Sequence, residues 1–191
     1  MLRVLVIDES CNRAAEICAG LAIAGHQVAA VLPSALDLVA QVEAVKPDVI
    51  LIQTDSPSRD TLEHLSVLGR DLPKPVIMFA DDDDSQAIRQ AMRAGVAAYV
   101  VDGLAPSRIK AIVEVAVARF EEYQALRRER DEASQKLSAR ILIDRAKGIL
   151  MKTRKIDEET AYHSLRKLAM ERGQKLSAVA QDVVDMAKLL L

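Results

Sequence analysis

Four short stretches of this chain are continuously apolar: RVLVID (3–8), PDVILIQ (47–53), KPVIMFA (74–80) and AAYVV (97–101). A strand with one wet face alternates apolar and polar residues, so unalternating runs rich in Val and Ile specify strands covered on both sides. A weaker run, HQVAAVL (26–32), supplies a fifth strand. Segments with helical spacing lie at 12–24, 35–45, 59–68 and 84–94, punctuated by Gly25, Gly95, Pro47, Pro57, Pro73 and Pro75. Strands alternating with helices fold as a doubly wound five-stranded parallel sheet of the α/β class. Its crevice is expected at the carboxyl ends of the first and third strands.

The pattern changes after residue 104. From Pro106 to about Met151 the chain is purely helical in character, with no Gly or Pro until Gly148. Apolar residues recur at heptad positions Ile109, Ile112, Ala116, Tyr123, Leu126, Ala133 and Leu137, interrupted by Arg119 and Arg130. That spacing predicts a coiled-coil seam, and hence a homodimer held by Ile109, Ile112, Ala116, Tyr123 and Leu126. Two further helices follow. Asp157 caps the first, Glu158 and Glu159 sit in its opening turn, and Gly173 ends it. Ala161, Leu165 and Leu168 form its inner stripe. Ser177 is expected to cap the second, with Val179, Ala180, Val183, Val184 and Ala187 facing inward. The resulting divisions are 1–104, 105–137 and 138–191.

Charge separates the same regions. The chain carries a net charge of −2, but residues 1–104 hold eight Lys and Arg against fifteen Asp and Glu, whereas residues 138–191 hold eleven against seven. An acidic first half and a basic last third suit two tasks, the second compatible with a polyanion. Aromatics make up only 3 % of residues and Trp is absent, which leaves few rings for stacking bases. No apolar run reaches the 18 residues a membrane helix needs, so a soluble, cytoplasmic protein without membrane contact is expected. His26, His64 and His163 are scattered, and no nucleophile–base pair or metal-ligand spacing is present. No enzyme activity, cofactor or metal is therefore expected.

The sheet, the acidic pair Asp8–Glu9 and the segment PDVILIQTDSP resemble the flavodoxin-like receiver domain of two-component response regulators. The resemblance implies Mg²⁺ on the acidic pair, a phosphoacceptor Asp ending the third strand, a Ser or Thr after the fourth and a Lys after the fifth. A carboxylate nucleophile, a neutralising cation and an ammonium for the new anion form a coherent chemistry. In this chain the three key positions hold Gln53, Ala80 and Asp102. An amide is a poor nucleophile, and Asp102 would repel a phosphoryl group. The domain is expected to be a pseudo-receiver with a vestigial acidic pair. Asp55 is a weak substitute, because two residues along a strand displace it by about 6.5 Å, into the following loop.

The segment 139–184 resembles the ANTAR domain, the RNA-binding module of the AmiR- and NasT-type antiterminators. AKGILM (146–151), Ala161–Tyr162, LRKLAM (165–170) and KLSAVA (175–180) carry that resemblance in order and spacing. It implies a three-helix ANTAR bundle that binds paired hairpins in leader transcripts, with Lys147, Arg166 and Lys175 as RNA-binding residues, and the local charge and helix pattern add Arg145, Lys152 and Gly148. Lys and Arg suit phosphate contacts. A glycine in mid-helix costs about 1 kcal/mol against Ala, which suggests close approach by a packed helix or an RNA loop. SPSRD (56–60), VIMFA (76–80) and AAYVV followed by an acidic residue resemble NasT-type receivers. That likeness implies control of nitrate and nitrite assimilation genes by a ligand-sensing, nitrate-sensor-like partner. A conventional phosphorylated response regulator and a helical protein-binding scaffold are the rival readings.

Overall fold

A computed structural model describes residues 1–8, 10–101 and 106–190, with no account of the side chains at 11–13, 106, 189 and 190. The expected positions Glu9 and Asp102 lie outside the described residues. The five strands are β1 (Arg3–Asp8), β2 (Gln27–Leu32), β3 (Val49–Thr54), β4 (Val76–Ala80) and β5 (Ala98–Val101). All pair in parallel in the order β2-β1-β3-β4-β5. The helices between them are α1 (Cys11–Ile23), α2 (Leu38–Val45), α3 (Arg59–Asp71) and α4 (Ser85–Arg93). The continuous apolar runs fill both faces of the sheet, as their lack of alternation requires. Leu5, Ile7, Ile50, Ile52 and Met78 belong to one buried cluster, and Val4, Val6, Val49, Leu51, Ile77 and Phe79 to the other.

Capping chemistry sets several helix ends. Ser58 accepts from the Thr61 N–H and starts α3, and Asp84 accepts from the Gln86 and Ala87 N–H groups and starts α4. The second helix begins three residues later than its apolar spacing suggests, because Asp37 takes a left-handed conformation (φ 52°) that no helix interior admits.

The long helix α5 runs from Pro106 to Arg154, followed by α6 (Glu158–Arg172) and α7 (Leu176–Leu190). The chain divides into two compact units, Met1–Gln124 and Ala125–Leu191. The opening turns of α5 therefore belong to the first unit, and this corrects the expected dimer seam. Ile109 and Ala116 are fully buried with Val113 in the cluster under the sheet, and Ile112 packs against it. The apolar area of Ile109 and Ala116 is consumed within the chain and is not offered to a second copy. Tyr123, Leu126, Leu137 and Ile141, farther along the helix, are mostly exposed.

In the second unit, Ala146 of α5, Leu165 and Ala169 of α6, and Val179, Ala180 and Val184 of α7 form a separate core. Asp157 caps α6 by accepting from the Thr160 N–H at 2.8 Å, and Gly173 ends it in the left-handed conformation (φ 61°). Ser177 is not a cap. The Lys175 carbonyl accepts from the Ala178 and Val179 N–H groups, so α7 starts at Leu176 and Ser177 lies within its first turn. Among the described residues no helix is long and apolar enough to cross a membrane.

Candidate nucleic-acid interface

Two places in the molecule gather functional side chains: the crevice at the strand ends and the surface of the helical unit. Parallel register puts Gln53 directly beside Asp8, both buried at the carboxyl ends of their strands. Asp8 accepts from the Ser10 N–H at 2.8 Å. Ala80 ends β4, buried, opposite Thr54. Of the expected positions, Asp8, Gln53 and Ala80 stand at the ends of adjacent strands, with an amide at the position expected for a nucleophile and a methyl group at that expected for a hydroxyl. Asp55 lies beyond the end of β3, exposed, in the following loop.

Hydrogen bonds tie the loops around this crevice to one another. The Asp55 carbonyl accepts from the Asp81 and Asp82 N–H groups at 3.1 and 3.0 Å. Ser56 donates to Asp82 at 2.6 Å, and the Tyr99 hydroxyl donates to the Asp82 carbonyl at 2.8 Å. The Ser56 hydroxyl, with the Asp84 N–H, holds the Asp82 carboxyl below its ordinary range, while burial raises Tyr99. The acidic run Asp81–Asp84 serves as loop and helix cap, and no cluster able to hold a metal occurs among the described residues.

The helical unit differs in kind. Arg145, Gly148 and Lys152 recur at i, i+3 and i+7 and so share one face of α5. Arg145, Lys152, Arg166 and Lys175 are exposed, and none of their side chains has a hydrogen bond or ion pair among the described residues. A Cβ built on Gly148 would meet nothing within 4 Å. Among the described residues of its own unit no helix packs against this glycine, and the gap between two free cations stays open.

Lys147 departs from expectation. It lies on another face of α5, its side chain only 15 % exposed, and reaches Asp144 at 2.6 Å and Glu158 at 2.7 Å. Its ammonium is committed to these two carboxylates rather than offered to a phosphate. The hydrogen bond to Asp144, with that to Glu158, raises the Lys147 pKa, and the same bond lowers that of Asp144. Lys147 fastens α5 to the first turn of α6. Sequence reasoning treated it as one more cation because the partner Glu158 stands eleven residues away and is visible only in the fold.

Residues 131–184 match the ANTAR domain family, beginning seven residues before the expected boundary at 138. The chain is 26 % identical over 183 residues to the transcriptional regulatory protein PdtaR of Mycobacterium tuberculosis, an alignment covering 96 % of this chain and 89 % of that protein. The signal receiver domain of a modulated diguanylate cyclase from Desulfovibrio desulfuricans superposes with a TM-score of 0.56 at 19 % identity, over 64 % of this chain and all but 2 % of that one (98 %). A CheY-like receiver domain protein from Methanospirillum hungatei gives 0.54 at 18 % identity, over 63 % and 97 %. These two likenesses are of fold.

Proposed function

This chain joins a receiver-type domain to an ANTAR domain, and we propose that it is an RNA-binding transcription antitermination regulator controlled by a partner protein rather than by phosphorylation. The observation that carries the reading is the face of α5 within the ANTAR match: two exposed, unpaired cations, Arg145 and Lys152, on either side of an open glycine. Cations at that spacing hold phosphates, and a missing Cβ lets a nucleic-acid backbone approach the helix closely. Arg166 and Lys175 add further unpaired charge. A small helical unit is ill suited to the deep, narrow major groove of A-form RNA, so unpaired loops of hairpins are its target. Holding paired hairpins in a leader transcript keeps the terminator hairpin from forming.

The crevice supports control by a partner. Gln53 and Ala80 leave a receiver fold without an acceptor carboxylate or a sensing hydroxyl, so a kinase has nothing to modify at the usual place. The finer reading is a regulator of nitrate and nitrite assimilation, held by a nitrate-sensing protein until ligand releases it. It rests on the NasT-like segments at 56–60, 76–80 and 97–101. A homodimer formed through the exposed part of α5, Tyr123 onward, completes the picture. Recovering the tagged protein from its own cells with and without nitrate, and sequencing the bound RNA, tests the reading. Leader transcripts bearing paired hairpins should be enriched in nitrate. Recovery of no such RNA under either condition would sink it.

A further inference from the structure

The outward face of α6 carries a ring that the fold does not use. Tyr162 is the only Tyr, Phe or Trp after Tyr123. It stands 39 % exposed beside the inner stripe of Ala161, Leu165 and Ala169, and takes no part in the core of the helical unit. Arg166 and Met170 follow at four-residue steps and share its face. Met170 is exposed, and Arg166 has no ion pair or hydrogen bond among the described residues. The Tyr162 and His163 rings meet edge to face, with centroids 6.4 Å apart and planes 62° apart. His163 and Lys167 reach Glu159 and Glu171 only at 3.9 Å.

A solvated helix face has no need of an aromatic ring and a thioether in line with an unpaired guanidinium. Single-stranded nucleic acid meets just such a combination, because every base offers a π-face and each carries a phosphate beside it. We propose that Tyr162 and Arg166 form a platform for one unpaired RNA base. The base stacks on the Tyr162 ring, the guanidinium takes the adjoining phosphate, and Met170 borders the base on its apolar side. The proposal rests on the RNA-binding reading and adds to it a site for bases, distinct from the phosphate-holding face of α5.

The test uses the full chain and a tandem-hairpin RNA in which each unpaired loop base is replaced in turn by 2-aminopurine, whose fluorescence is quenched by stacking. Wild type should quench one loop position on binding. Tyr162→Ala and Tyr162→Leu should lose that quenching and weaken binding by about tenfold, with the salt dependence unchanged. Tyr162→Phe should retain both. Arg166→Ala should instead flatten the salt dependence by about 0.7 of a logarithmic unit. Circular dichroism should be unaltered, since the ring lies outside the core. If wild type binds but the Leu variant quenches and binds like it, or the Phe variant fails like Ala, the platform is wrong and the RNA reading stands. If wild type binds no hairpin, both fall.

Discussion

The candidate sites of the two units of this molecule treat their polar groups differently. In the first, the loops beside the crevice are tied to one another: Ser56, Asp84 and Tyr99 all bond Asp82, and Asp8 stands beside the Gln53 amide. In the second, Arg145, Lys152, Arg166 and Lys175 are exposed and unpaired among the described residues. The long helix repeats the contrast along its own length, since Ile109 and Ala116 are consumed by the sheet while Tyr123, Leu126 and Leu137 face solvent. On the proposed reading the first unit keeps the fold of a receiver without its acceptor carboxylate, and the basic face of the second unit meets RNA.

The sharpest challenge to this contrast lies within α5. Leu126→Asp with Leu137→Asp should raise the dimer dissociation constant by at least about ten-thousandfold, at about 1.5–3 kcal/mol for each aliphatic side chain removed, two from each copy. Light scattering should report a folded monomer. Ile112→Asp should instead destabilise the first unit, because Ile112 packs against its core. A dimer that survives the double change would place the interface elsewhere.

Reversing the free cations comes next. Arg145→Glu with Lys152→Glu should weaken leader-RNA affinity about a hundredfold while leaving circular dichroism unchanged. Lys147→Met should behave differently: it removes the fastening between α5 and α6, lowering the melting temperature without altering the salt dependence of RNA binding. Acid should loosen the same fastening. Asp144 is held below its ordinary range, so its contribution is present above the unfolded carboxylate value and lost as pH falls through the lowered folded one.

Gly148→Ala should have a smaller, two-sided effect. A Cβ there meets nothing within 4 Å, so the helix gains about 1 kcal/mol of stability while RNA affinity declines. Unchanged affinity would leave the glycine without a role. His26 gives the mildest effect. Burial, reinforced by the N-terminal amine and Lys110 and opposed by Glu114, lowers its pKa below 6.5. The unfolded chain then binds more protons, and the first unit loses stability as pH falls from about 6.5 towards the folded value. Replacing His26 with Leu should flatten that limb in denaturant titrations.

The sheet was legible in the sequence because its signal is local: runs such as PDVILIQ have no alternation, and only a doubly covered strand explains them. Asp157 and Gly173 were legible for the same reason, each acting on its own turn. What escaped was whatever depends on distant neighbours. Ile109 and Ala116 fit a heptad as well as a core helix, and periodicity alone does not say which surface covers them. Lys147 reads as a free cation until Glu158 is brought beside it. Tyr162 was legible as half of an Ala–Tyr pair, yet its exposure and its alignment with an unpaired Arg166 appear only in the fold.

The central claim is that the unpaired cations of the ANTAR unit hold RNA. Titrating a tandem-hairpin leader RNA with the full chain across a series of salt concentrations tests it most directly. The logarithm of the affinity should fall linearly with the logarithm of salt. The slope should shrink by about 0.7 for each of Arg145, Lys152 and Arg166 replaced by Ala, and not at all for Lys147 or the receiver control Arg93. Affinity indifferent to salt, or slopes unmoved by the three substitutions, would contradict it.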